Sequence, residues 1–206
     1  MATTFLFELG VEEIPAGYLA PYGEQLARLF NEELQKAHLT AGTLTVRYTP
    51  RRLVLHCAGL AEQQPVVRNE LKGPPLDVAY ANGAPTRAAQ AFAEKAGVSL
   101  EQLERREVNG KTYLFATVTR GGQHARELLP EMMPGIIRRL KSPKSMRWAD
   151  SPTVFARPIR WMLALLGGEV LRITLDGLVS GDVTYGHRFL TPRALRIRSA
   201  SLTSFA

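Results

Sequence analysis

TTFLFELGVEEIPAGYLAPYGEQLARLFNEEL, residues 3–34, changes its hydrophobic period partway along, and that change decides the fold class. TTFLFEL is dense in Phe and Leu and predicts a strand running into a turn at Gly10. From Leu19 the apolar residues Tyr22, Leu26, Leu29, Phe30 and Leu34 recur at three- and four-residue spacing, the stripe of a helix with one face on a core. LTVRYT (44–49) and RLVLHCA (52–58) then predict two strands broken at Pro50, which has no N–H for a ladder and restricts the residue before it. A strand, a helix and two strands therefore open the chain.

Further along, KGPP (72–75) and ANGAP (81–85) carry turn chemistry. Ala89, Phe92, Ala93 and Ala96 predict a short helix ending at Gly97, and Ser99 with Gln102 has the spacing of a capping box opening a second one. TYLFATV (112–118) predicts a strand ended by Gly121–Gly122. QHARELLPEMMPGIIRRL (123–140) keeps helical period through Ala125, Leu128, Leu129, Met132, Met133, Ile136, Ile137 and Leu140, with Met132 and Met133 read as core; Pro130 and Pro134 predict a kink or a late start. EVLRITL (169–175), DVTYGHRF (182–189) and ALRIRS (194–199) predict strands, and SLTSFA (201–206) the start of a helix, as in a fragment of a longer chain. The expected class is α/β in the mixed α+β sense, with mixed sheets and flanking helices.

At 206 residues with 45% apolar and 22% charged residues, the composition is that of a folded protein with its own core. The single cysteine, Cys57, excludes an internal disulfide and suits a reducing compartment. The N-terminus lacks a basic, apolar and small-residue signal series, and WMLALLGG falls well short of the ~20 residues of a membrane span. A cytoplasmic location without membrane association is expected. Net charge is +7, carried unevenly: residues 1–119 hold 12 Lys or Arg against 13 Asp or Glu, and residues 120–206 hold 14 against 6. This charge step divides the chain into a near-neutral part, 1–119, and a basic helix-plus-strand part, 120–206, expected to pack together as one unit. It points to a polyanion or an acidic protein surface as partner.

No glycine-rich phosphate loop follows the first strand, and no G-x-S-x-G occurs. His38, His56, His124 and His187 are scattered, and His56 and Cys57 point to opposite faces of one strand, so neither a metal nor a cofactor is expected. Glu12 and Glu13 are more readily explained by the positive end of the following helix than by acid–base catalysis. KSPKS (141–145) matches the K-M-S-K-S loop of class I synthetases at three of five positions, without the accompanying H-I-G-H element. No catalytic residue is assigned. The segment KSPKSMRWADSPTVFARPIRW (141–161) instead places both tryptophans among its cations, with Asp150 its one acid. Such a segment can pair guanidinium with phosphate and stack rings on bases, or lay arginine stems over indole. The candidate contact residues are Arg51, Arg52, Lys144, Arg147, Arg157, Arg160 and Arg188, arginine being suited to phosphate and carboxylate by its planar fork. Arg157 and Arg160 are placed to pack on Trp161 or on a neighbouring subunit.

ELGVEEIPAGYL (8–19), TPRRL (49–53), KGPP (72–75), PTRAAQAFAEKAGVS (85–99), LLPEMMPGIIRRLKSPKSMRWAD (128–150), FARPIRWMLALL (155–166) and GHRFL (186–190) together resemble the N-terminal portion of the β subunit of bacterial-type glycyl-tRNA synthetase. The resemblance runs in order over about residues 3–198. It implies a heterotetramer of two α and two β subunits, in which the α subunit activates glycine using ATP and Mg and the β subunit contributes binding of tRNA(Gly). It also implies that the catalytic centre lies outside this chain. The region is similar in character to the B3/B4 module of the phenylalanyl-tRNA synthetase β subunit, which can house editing. Two alternatives therefore stand beside RNA binding: a purely structural interaction module and an editing-like hydrolase.

Overall fold

The computed structural model describes residues 2–81, 83–190 and 193–201. The chain forms two compact units, residues 1–64 with 123–206, and residues 65–122. In chain order the first unit opens with β1 (Ala2–Val11), α1 (Ala16–Lys36), β2 (Leu44–Thr49) and β3 (Arg52–Ala61). The second unit contains β4 (Val67–Pro75), α2 (Arg87–Ala96), β5 (Glu104–Val108) and β6 (Lys111–Arg120). The chain then returns to the first unit for α3 (Ala125–Arg139), β7 (Ile159–Leu166), β8 (Glu169–Val170), β9 (Val183–Tyr185) and β10 (Ala194–Arg196). The class is the mixed α/β one expected, and the ladders are antiparallel.

The main sheet has the order β8-β7-β1-β3-β2, with β1 at its centre. Successive side chains of a strand face opposite sides, and β1 sorts its residues accordingly. Phe5, Phe7, Leu9 and Val11 join the core under α1 and α3, together with Leu53, Leu55 and Cys57 of β3 and Met162 and Ala164 of β7. Leu6 packs on the other face with Val54, Leu163, Leu165, Ile197 and Ala200. The predicted stripe of α1 is the buried one, from Leu19 to Leu34. Each fully buried Leu or Phe contributes about 1.5–3 kcal/mol relative to exposure.

The largest departure from the sequence reading is β7. From Trp161 onward its WMLALL is apolar on both faces, so it carries no period-two alternation. The β7–β8 hairpin turns at Gly167–Gly168, where Gly167 has φ +60°. α3 does not start late: it begins at Ala125 and runs to Arg139 with both Pro130 and Pro134 inside it. Ala125, Leu129, Met133, Ile136 and Ile137 are all buried, and this burial outweighs the missing amide donors. Met133 is core and Met132 packs against it. EVLRITL yields only Glu169–Val170 and Thr174–Leu175 as strand. The hydroxyl of buried Ser180 accepts the Ile173 N–H and donates to the Leu171 carbonyl, replacing backbone partners there. DVTYGHRF and ALRIRS shorten to β9 and β10, while SLTSFA lies outside the described residues beyond Ser201.

In the second unit the sheet order is β4-β6-β5. KGPP belongs to the end of β4, with a register irregularity between Lys72 and Pro75. α2 ends as expected at Gly97, in the left-handed region at φ +68°. Gln102 does accept the Ser99 N–H at 2.9 Å, but it caps a single 3₁₀ turn rather than a helix. The chain then enters β5, whose hairpin with β6 turns at Asn109–Gly110, both at positive φ. The small core holds Ala79, Ala89 and Leu114 with Phe92 packed against them.

Candidate functional site

The site is built on the sheet face away from the helices. Gly10 of β1 is in register with Trp161 of β7, and a Cβ there would fall 2.0 Å from the indole ring. Glycine therefore lets the indole lie across β1. Two residues earlier stands Glu8, wholly buried between the core residues Phe7 and Leu9. Its Oε1 accepts the Trp161 Nε1–H at 2.7 Å and the Thr184 hydroxyl at 2.6 Å, with Arg52 Nη1 3.5 Å away. Arg52 also donates to the Thr184 hydroxyl oxygen at 2.9 Å and to the Tyr185 carbonyl. The second carboxylate oxygen, Oε2, is buried with no hydrogen-bond partner among the described residues. Burial pushes the Glu8 carboxyl above its ordinary range, and Thr184, Arg52 and Trp161 offset only part of that.

The guanidinium groups of Arg51 and Arg52 each lie 5.8 Å from the Trp161 ring centre, and Tyr185 meets the same ring edge-on at 5.0 Å. The arginines over this tryptophan are thus not Arg157 and Arg160, as their proximity in sequence suggested. Arg160 adjoins Trp161 on a strand and so points to the opposite face. It pairs with Glu12 at 3.4 Å, as does Arg188 at 3.6 Å. Arg157 donates to the Glu13 carbonyl at 3.0 Å. Glu12 and Glu13 precede the Pro15 cap, so they lie outside the first turn of α1; Glu12 serves these arginines instead. The other tryptophan, Trp148, donates to the Phe155 carbonyl at 3.0 Å, and Phe155 stacks on Tyr22 of α1.

The seven sequence-selected cations fall into groups. Arg51, Arg52 and Arg188 line one open cleft of about 690 Å³, joined by Arg47, Tyr48, Val54, His187, Phe189 and Glu13. Lys144 and Arg157 border a smaller recess with Tyr18 and Met146. Arg147 is exposed on the short ladder of Met146–Arg147 with Val154–Phe155, and Arg160 stands at the rim of a recess beside Trp148 and Asp176. Arg51, Lys144 and Arg147 have no carboxylate partner among the described residues. Asp176 anchors the 151–153 loop: its carboxylate accepts from the Ser151 hydroxyl at 2.6 Å, the Thr153 N–H at 3.0 Å and Arg138 at 3.0 Å. Burial acts against its charge, but these bonds overcome it and hold the carboxyl down at about 2.

Sequence reasoning missed Glu8, Arg47, Thr184 and Phe189. Glu8 had a signal, a lone acid inside an apolar strand; Arg47 and Phe189 join the cleft only through the pairing of β2 with β3 and the turn after β9. Among the described residues no three His, Cys, Asp or Glu side chains converge as a metal site. What the arrangement offers is positive charge beside aromatic surface.

A family model for the glycyl-tRNA synthetase beta subunit matches residues 5–203. A glycine–tRNA ligase beta subunit of Moorella thermoacetica is 44% identical over 202 residues, covering 98% of this chain and 29% of that protein. Those of Syntrophotalea carbinolica and Trichodesmium erythraeum are 42% and 38% identical, each over 97% of this chain and 29% and 28% of their own lengths. The chain belongs to the glycyl-tRNA synthetase beta subunit family. It spans under a third of the length of these relatives.

Proposed function

We propose that this chain is part of a glycine–tRNA ligase and contributes to binding tRNA(Gly) and to subunit assembly. In this reading an α subunit activates glycine with ATP and Mg, within a cytoplasmic complex of two α and two β subunits. Family membership supports the ligase assignment. The observation that carries the RNA contact is the division of the cations. Arg52, Arg157 and Arg160 are engaged within the fold, whereas Arg51, Lys144 and Arg147 carry charge that no carboxylate among the described residues neutralises. Unneutralised arginine and lysine on one unit suit a phosphate backbone.

The test is tRNA binding across a salt series, with Arg51, Lys144 and Arg147 replaced together by Ala. Each lost phosphate contact should lower the log–log salt slope by roughly 0.7–0.9, so the triple substitution should flatten it by about two. An unchanged slope and affinity would remove the RNA contact from this surface. The second reading, assembly without RNA, is favoured by the internal engagement of Arg157 and Arg160. It requires the same triple variant to weaken association with the α subunit instead.

A further inference from the structure

We infer that the cleft beside Trp161 accepts an unpaired, unstacked nucleotide of an RNA single strand, the base lying on Phe189 and its phosphates meeting Arg47 and Arg51. This rests on the tRNA reading above and adds which form of RNA this surface takes. The first observation is composition. A cleft of about 690 Å³ lies within the roughly 300–1,000 Å³ of small-ligand pockets. It presents Arg47, Arg51, Arg52 and Arg188 against one acid, Glu13. Arg52 is committed to Glu8 and Arg188 to Glu12, which leaves Arg47 and Arg51 without a carboxylate among the described residues.

The second observation is Phe189. It is 79% exposed, and its neighbour Leu190 is 82% exposed. Its position is nonetheless held: His187 Nδ1 accepts the backbone N–H of Phe189 at 3.3 Å and of Leu190 at 3.2 Å. A ring left in water on a hydrogen-bonded turn, with the Arg188 guanidinium 5.9 Å from its centre, is a platform for another flat π-face. Protein that stacks bases while tracking phosphates uses this pairing of side chains. A duplex hides its base faces, so the ring distinguishes single-stranded RNA where charge alone does not.

The experiment measures anisotropy of a labelled RNA octamer and of a fully paired hairpin with the same number of phosphates, its strands joined by a non-nucleotide linker, each binding the full chain. Phe189→Ala should weaken the octamer roughly 5- to 150-fold, the range of one lost base stack, and change hairpin binding less than 2-fold. Phe189→Tyr should restore the octamer, and a thiouridine-labelled octamer should cross-link within residues 186–189. Loss of both RNAs alike, or an octamer indifferent to Phe189→Ala while salt-sensitive binding persists, overturns the nucleotide cleft and leaves the tRNA reading intact. Failure of both RNAs to bind the unaltered chain overturns both. A mononucleotide binding as tightly as the octamer, or an acidic peptide whose binding depends on Phe189, overturns the inference by assigning the cleft to another ligand.

Discussion

Gly10→Ala tests the frame of the site directly. An added Cβ would stand 2.0 Å from Trp161 Cδ2 and Cε2 and 2.5 Å from Cε3, where carbon–carbon contacts settle near 3.5–4.0 Å. The indole must retreat by roughly 1.5 Å. Its Nε1–H then leaves Glu8 Oε1, now at 2.7 Å, and a buried carboxylate loses one of its two best donors. Overpacking of this kind costs about 1–3 kcal/mol, and a hydrogen bond to a charged group about 1.5–3 kcal/mol. These terms share one ring and do not simply add, so a loss of about 3–4 kcal/mol is expected. Urea unfolding followed by far-ultraviolet circular dichroism measures the loss, and the near-ultraviolet tryptophan bands report the ring. Gly17→Ala is the control. Among the described residues nothing lies within 4 Å of its added Cβ, and in α1 it should stabilise by up to about 1 kcal/mol. If Gly10→Ala costs under about 1 kcal/mol and leaves the tryptophan bands unchanged, the account of the Glu8–Trp161 frame is wrong.

Glu8 has a raised folded-state carboxyl, so its contribution is fully present below the ordinary Glu range and declines as pH rises through the raised value; Glu8→Gln should flatten that decline in a stability–pH profile. Asp176 behaves oppositely. Its carboxyl at about 2, against an ordinary 3.8, corresponds to roughly 2 kcal/mol of stability, present above about pH 4 and lost as pH falls toward 2; Asp176→Asn should abolish that acid-side loss in the same measurement. Cys57 is buried, and desolvation pushes its thiol up to about 11, so a thiol reagent at pH 8 should label it only as fast as the protein unfolds, and rapid native labelling would contradict its place in the core.

Elements with one buried face were legible in the sequence: Leu19 to Leu34 of α1 and Ala89 to Ala96 of α2 repeat with helical period because solvent lies opposite them. β7 was hidden for the converse reason, since a strand covered on both sides has no polar face to mark its period, although Gly167–Gly168 and Asn109–Gly110 were hairpin signals. The second unit at residues 65–122 has a small core of its own. The charge step near residue 120 falls close to where the chain returns to the first unit. In the candidate site the arginines could be named in advance, but their division could not. Whether a guanidinium meets a carboxylate depends on strand register, which set Arg52 opposite Gly10 and within 3.5 Å of Glu8, while alternation along β7 turned Arg160 away from Trp161.

The tryptophan among positive charges follows from that division. Glu8 is buried because β1 is the central strand, and a buried carboxylate must be met by donors from whatever packs against it. Those donors come from three different segments: Arg52 from β3, Trp161 from β7 and Thr184 from β9. Once Trp161 is fixed by its N–H, its face becomes a surface on which Arg51 can rest without a carboxylate of its own. A cation held by a ring keeps its charge available to a ligand, whereas one held by an acid does not. Arg51 and Arg52 are adjacent and chemically identical, yet the acid under the sheet assigns one to the fold and leaves the other facing the cleft. Substitution of Arg52 therefore perturbs the frame itself, and an affinity change that follows it reports on Glu8 before it reports on RNA.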